Sequence, residues 1–307
     1  MQYIKGIESY KETHQTAITL GKFDGLHRGH QKLVDRVKSY ADHNTKSVVF
    51  AFDMQVYFKQ RGIKKQYIMT NVERYLKLEK QVDYLIECPF TENIHNMKAE
   101  DFISEVLVKK FHVAYVVVGT DYHFGHGKKG DVQMLAHYAK IYGYQLDVIE
   151  KETHEGKIIS SSYIKREIIQ GDFELVNVLL GYPYSIRGTV EHGRKLGRKL
   201  GYPTMNITPK NEKLLPPNGV YDCRVLIDGK YFDGIGNLGC KPTIAQKMKI
   251  LMEVFLFDFR EDAYGKRIEI QFLRFERAEI KFASIQELGQ RMEQDVLCGK
   301  NFFEDLQ

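Results

Sequence analysis

Two histidines stand inside a glycine-framed turn, Gly21-Lys22-Phe23-Asp24-Gly25-Leu26-His27-Arg28-Gly29-His30. Glycines at 21 and 25 let the backbone turn tightly and approach a ligand. A helix that follows offers its N-terminal amides to a phosphate. His27 and His30, with Gly29 directly before the second, can both donate hydrogen bonds to the charge that builds on phosphorus during group transfer. A turn with two surface histidines is the plainer alternative, and its weight falls once the motif is placed between a strand and a helix. A second cluster, Gly119-Thr120-Asp121-Tyr122-His123-Phe124-Gly125, offers an acidic and an aromatic group for a ribose and a ring. A third, Ile159 to Arg166, places Ser160, Ser161 and Ser162 at a helix start with Lys165 one turn inside, which suits a triphosphate. Serines there are equally ordinary helix caps.

The second half carries its own candidates. Gly193, Gly197 and Gly201 alternate with basic residues, Arg194 among them, in a cationic loop able to cover phosphates or simply to be solvated. Thr204 and Asn206 lie two apart, so an extended strand points both to one face. Their oxygens could hold Mg2+ and a phosphate. Glu253 opens the apolar run Val254 to Phe259, where a buried carboxylate is costly unless it faces a cavity or sits at an edge.

Positioning these groups requires two kinds of scaffold. The first half alternates apolar runs (16–20, 47–52, 84–86, 114–118 and 145–149) with helical periodicity at 30–41, 71–81 and 98–111. That alternation predicts a doubly wound parallel sheet, a Rossmann-like α/β domain, with its ligands at the carboxyl ends of the strands. The second half reads as strands over 219–227, 231–235, 252–259 and 267–276, separated by turn residues such as Asp228-Gly229. This is the pattern of an antiparallel barrel. A helix over 284–297, with Ser284 and Glu287 spaced as a capping box, closes the chain. The texture changes near Gly181 to Tyr184, which predicts domains of 1–183 and 184–307.

Composition bounds the rest. The chain has 307 residues, 43% hydrophobic and 28% charged, an ordinary balance for two packed domains. Mean hydropathy of −0.39, without a long apolar run, argues against a membrane span. The first fifteen residues lack an apolar core and a cleavage site, and the four cysteines make no CxxC pair. A cytoplasmic protein with reduced thiols is expected. A net charge of +5 suits a handler of anionic phosphates and gives no sign of a nucleic-acid partner.

Taken together, HxGH at the first strand end and a serine-rich basic loop late in the domain resemble the nucleotidylyltransferase superfamily. More narrowly, TLGKFDGLHRGHQKL, VVVGTDYHFGHGKKGD and ISSSYIKREIIQGD resemble the FMN adenylyltransferase module of bacterial riboflavin kinase/FAD synthetases. Pro203-Thr204-Met205-Asn206 resembles the Pro-Thr-Ala-Asn hallmark of the riboflavin kinase ATP loop. The family pattern is departed from at Met54-Gln55-Val56, where Pro-His-Pro is usual, and at Tyr122-His123, where phenylalanine and arginine are usual. Ser162 and Lys165 replace a threonine and an arginine.

The resemblance implies a bifunctional enzyme of FAD biosynthesis using ATP, riboflavin and FMN, with Mg2+. Riboflavin would be phosphorylated to FMN in the second domain, with Glu253 as base and Thr204 and Asn206 holding the metal. FMN would be adenylylated to FAD in the first, with His27 and His30 catalytic. Gly21, Phe23, Asp24, Gly29, Gly119, Asp121, Phe124, Ser161, Ser162 and Lys165 would bind ATP and FMN there; Gly193, Arg194, Gly197 and Gly201 would bind nucleotide or flavin in the second domain. The expected partners are small molecules, without nucleic acid or membrane, for a monomer or weak homo-oligomer. Alternatives are an FAD synthetase whose second domain is a weak or silent kinase, a flavin-responsive regulator without catalysis, and an aminoacyl-tRNA synthetase-like enzyme that shares the HxGH logic.

Overall fold

The structure, a computed structural model, describes residues 1–193, 197, 200–242 and 248–306. Its contacts divide the chain into two compact units, 1–161 and 162–307.

The first unit is built on six parallel strands: β1 (Gln2–Lys5), β2 (Gln15–Gly21), β3 (Thr45–Asp53), β4 (Tyr84–Pro89), β5 (Val113–Gly119) and β6 (Gln145–Ile149). Their order is β1-β4-β3-β2-β5-β6, so the winding reverses between β2 and β5. Central strands buried on both faces explain the unbroken apolar runs, with Ile18, Val48, Phe50, Ile86 and Val116 in the core. The crossovers hold α1 (Arg28–Ser39), α2 (Gln55–Gln60), α3 (Asn71–Leu78), α4 (Glu92–Asn96), a short α5 (Ala99–Asp101) continued as a π-helix over Phe102–Lys110, and α6 (Val132–Tyr142). The sequence reading assigns no helix to α2 or α6. In α6 only Leu135 is fully buried while Ile141 and Tyr142 are exposed, so no clean apolar stripe announces it. A two-stranded ribbon, β7 (Thr153–His154) and β8 (Lys157–Ile158), follows β6.

The second unit begins at Ser162 within α7 (Ser161–Gln170) and continues with α8 (Phe173–Leu180), the latter capped by Asp172 and ended by left-handed Gly181. Six antiparallel strands follow: β9 (Ser185–Thr189), β10 (Met205–Ile207), β11 (Gly219–Ile227), β12 (Lys230–Pro242), β13 (Met248–Leu256) and β14 (Arg267–Ala278). They run in the order β10-β13-β12-β11-β14-β9. The sheet curls until its edges meet at a bridge between Glu191 and Asn206, leaving a nearly closed barrel. Irregular register between β11 and β14 at Val220/Tyr221 and Asp222/Cys223 supplies curvature. The barrel core stacks Phe173, Tyr184, Tyr221 and Phe272.

Three local expectations are corrected. The strand expected over 231–235 runs on through Asn237 to Pro242 as β12. The strand expected to run to Phe259 ends at Leu256, after which the Phe257 amide donates to the Asp233 carbonyl and the chain leaves the sheet. The closing helix α9 spans Ile285–Asp305. Its cap is half a box: Ser284 accepts from the Glu287 amide at 3.1 Å, while the Glu287 carboxylate accepts from the Ala283 amide at 2.9 Å.

Candidate active sites

The β2–α1 turn lies where strand order reverses, the position at which doubly wound sheets bind ligands. The turn is tight enough to place Phe23 (φ 48°) and Leu26 (φ 39°) in the left-handed region, both fully buried. Such backbone persists only where its surroundings over-determine it. The Asp24 carboxylate accepts the amides of Ile68 (2.8 Å) and Met69 (3.3 Å), and its carbonyl accepts the Ser161 hydroxyl at 2.8 Å. The first and third sequence clusters are therefore joined directly through Asp24 and Ser161.

His27 caps α1, its Nδ1 accepting the His30 amide at 3.4 Å. With Nδ1 an acceptor, the neutral ring carries its proton on Nε2 and is a donor there. The two rings stack at 3.7 Å and 20°. Burial pulls the His27 pKa down to about 4, and burial followed by the charges of His27 and Arg74 holds His30 well below the usual histidine value. Both are neutral donors near pH 7. Gly29 leaves room for the stack, since a Cβ there would meet the His27 ring at 3.3 Å.

A cavity of about 770 Å³ opens in front of these rings. Gly21, Phe23, His27, Gly29, His30, Gly119, Asp121, Phe124 and Ser161 line it, so eight of the expected residues converge with Ser161 on one space. Asp24 lies behind the wall, gripping backbone. Ser162 and Lys165 stand on α7 in the second unit. Asp121 is paired with Lys151 at 2.7 Å, and Tyr122 stacks on Phe124 at 5.6 Å and 14°. Glu152 accepts from Arg28 at 2.5 Å and pairs with Lys32, fixing the cations at the start of α1.

Sequence reasoning missed the aromatic wall of Tyr57, Phe58, Phe90 and His95, which completes the cavity together with Met54. These residues come from α2, α4 and the segment just after β4; Tyr57 and Phe58 directly follow Met54-Gln55-Val56, where the family pattern is departed from. Their signal was positional: Tyr57 and Phe58 follow β3 and Phe90 follows β4, both at carboxyl ends of strands.

In the barrel the candidate residues meet through strand register. Asn206 on β10 lies opposite Glu253 on β13, which lies opposite Asn237 on β12, so amide, carboxylate and amide share one face. Asn206 is buried, and its Oδ1 has no hydrogen-bond partner among the described residues. Gly193 permits close approach: a Cβ would come within 2.4 Å of the Asn206 Nδ2. A Cβ at Gly197 would lie 3.5 Å from the Thr204 methyl, and Gly201 adopts φ 88°. Arg194 lies outside the described residues. Asn237 is the residue that sequence reasoning passed over, because only pairing reveals what faces Glu253.

Two family models match the chain: FAD synthetase over residues 9–163 and riboflavin kinase over 180–303. Bifunctional riboflavin kinase/FMN adenylyltransferases from Haemophilus influenzae and Escherichia coli are 35% and 32% identical to it. Each alignment covers 99% of this chain, with 99% and 98% of the respective relatives. A solved structure described as a macrolide-efflux protein from Streptococcus pneumoniae is 27% identical, with a TM-score of 0.83 over 96% of both chains. Among the described residues no helix is long and apolar enough to cross a membrane. With both domain types present and full-length relatives that carry both, the chain belongs to the bifunctional riboflavin kinase/FMN adenylyltransferase family and is an enzyme of FAD biosynthesis.

Proposed function

We propose that FAD forms in the cavity before His27 and His30, and that FMN forms at the Asn206–Glu253–Asn237 face of the barrel. The functional division falls at 183/184. In the first reaction a phosphate oxygen of FMN attacks the α-phosphorus of ATP, the bond to the β-phosphate breaks, and pyrophosphate leaves. The Nε2 proton of His27, fixed by the His30 amide at Nδ1, is offered to the charge growing on the α-phosphate, with His30 stacked beside it. No covalent intermediate is needed, since positioning and charge stabilisation suffice for such transfers. Gly21, Phe23, Gly29, Gly119, Asp121 and Phe124 shape the nucleotide and flavin space. Ser161 stands at its phosphate end, and Ser162 and Lys165 join this assignment by sequence alone.

In the second reaction Glu253 accepts the proton of the riboflavin 5′-hydroxyl as the γ-phosphoryl of ATP is transferred to that oxygen. The buried Oδ1 of Asn206, unpartnered among the described residues, is a hard oxygen donor of the kind Mg2+ takes, and Thr204 supplies a hydroxyl two residues away. These two residues would hold the ion, which when bound neutralises phosphate charge. Mg2+ binds through few protein groups together with substrate phosphates and water. A dedicated cluster of carboxylates is therefore not required.

Cytoplasmic location belongs to the same proposal, supported by ATP as co-substrate of both steps and four free thiols. So do small molecules as the only partners, without nucleic acid or membrane, and a monomer or weak homo-oligomer.

The observation that carries the reading is the stacked histidine pair, His27 buried and His30 half-buried, at the point where strand order reverses. Chromatography of products after incubation with ATP and Mg2+, from riboflavin in one tube and FMN in another, tests it. FMN and then FAD from riboflavin are expected. FAD from FMN with riboflavin untouched would leave the barrel without its assigned reaction.

A further inference from the structure

Behind the histidine turn, outside the cavity lining, lies a buried ion pair that adenylyl transfer as described does not use. Arg74 on α3 and Glu87 on β4 are 4% and 2% exposed and meet at 3.4 Å. Removing two charges from water is costly, and apolar residues of like volume usually serve a core as well or better. Packing alone therefore gives no reason for this pair. The remaining contacts of Arg74 do: its guanidinium donates to the Lys22 carbonyl at 3.3 Å and to the Asn71 side chain at 2.9 Å. Lys22 immediately precedes Phe23, the first left-handed residue of the turn.

The same helix region grips the turn a second time, through the Ile68 and Met69 amides on Asp24. A Cβ at Gly25 would press on Ile68 at 3.0 Å, so the two segments are in direct contact. α3 is itself fixed by a complete capping box between Thr70 and Glu73. α3 and the segment that leads into it thus hold the turn at two points, one on each side of Phe23. Arg74 also sets a positive charge near His30, which opposes its protonation.

We infer that Arg74 is a positioning residue for adenylyl transfer: by holding the Lys22 carbonyl it keeps the left-handed turn and aims His27 and His30, without touching substrate. The inference rests on the role assigned to those histidines.

The test measures kcat and KM for FAD formation from FMN and ATP in full-length Arg74→Met, Arg74→Lys, Glu87→Gln and His30→Ala enzymes, with riboflavin phosphorylation as an internal control. Arg74→Met is expected to lower kcat about 100-fold, the scale of a misplaced catalytic group. Both KM values and the phosphorylation rate should stay unchanged. Arg74→Lys, which keeps one donor, recovers part of the loss. Glu87→Gln lowers the melting temperature but keeps kcat, because the bond to Lys22 survives. Wild-type kcat in Arg74→Met overturns the inference, as does an equal kcat loss in Glu87→Gln, which would make the pair purely structural. Should Arg74→Met fail to fold, Arg74→Lys decides: lost kcat at an unchanged melting temperature supports the role, and wild-type kcat overturns it. Full FAD synthesis by His30→Ala would instead overturn the histidine assignment itself, whatever Arg74 does.

Discussion

The two candidate sites are assembled by opposite means. In the parallel-sheet unit one short, contiguous turn carries both histidines, and the sheet's winding places it before a cavity. That turn holds its backbone in an uncommon conformation, and burial pulls the His27 pKa down to about 4. In the barrel no backbone peculiarity sets Glu253. Three strands deliver Asn206, Glu253 and Asn237 to one face by register alone. A turn is specified by neighbours in sequence, whereas a register row is specified by the whole sheet, since a one-residue slip would turn every member to the other face.

The contrast can be broken most sharply at Glu253. Glu253→Gln should lower riboflavin phosphorylation by about 10²–10⁴-fold, the usual share of a general base, and leave FAD formation from FMN intact. A parallel fall in both rates would mean that the two regions do not divide the chemistry. His27→Ala is the mirror experiment. Loss of one preorganised donor costs about 10²–10³-fold, here in FAD formation only, read by the same product chromatography.

Stability against pH should separate the units by sign. The unfolded chain protonates His27 near 6.5, but burial delays this to about 4 in the fold. The first unit therefore loses stability as pH falls through that window, by up to about 3 kcal/mol. Asp222 in the barrel behaves oppositely. Burial, only partly offset by the hydrogen bond from Arg274 at 2.8 Å, raises its pKa from 3.8 to about 6. Its protonated form is favoured by the fold, so stability is present below 3.8 and lost as pH rises to 6, again by about 3 kcal/mol. Hydrogen exchange resolved by segment between pH 4 and 7 should show the two units moving in opposite directions; a common trend would remove this distinction. The smallest effect concerns Gly193→Ala. Its methyl must displace the Asn206 amide, and kcat/KM for phosphorylation should fall roughly tenfold, about the worth of one hydrogen bond.

This difference in assembly also governs what could be read without coordinates. The turn 21–30, the loop 119–125 and the serines at the start of α7 stood out because their residues are adjacent, and the candidate residues drawn from them, apart from Asp24, Ser162 and Lys165, line one cavity. Asp24 shows the limit of such reading. Its type suggested a ligand contact, yet its carboxylate is taken by two amides more than forty residues away, a long-range bond with no local signature. Arg74 was illegible for the same reason, while Tyr57 and Phe90 carried no signal beyond their positions after β3 and β4. In the barrel, Glu253 drew notice as a carboxylate heading an apolar run, but Asn237 lay beyond the strand expected over 231–235 until pairing placed it in β12. α2 and α6 escaped because short or evenly apolar helices carry no period strong enough to mark them.

The meeting of the barrel's edges has a consequence for how the enzyme breathes. The Glu191 amide donates to the Asn206 carbonyl at 2.7 Å, so the residue whose side chain is proposed to hold the metal also fastens the seam through its backbone. Any ligand that orders the Asn206 side chain adds its binding free energy to that fastening and must be released before the seam can part. On the role proposed for Asn206, opening at this edge is rarer in the loaded barrel than in the empty one.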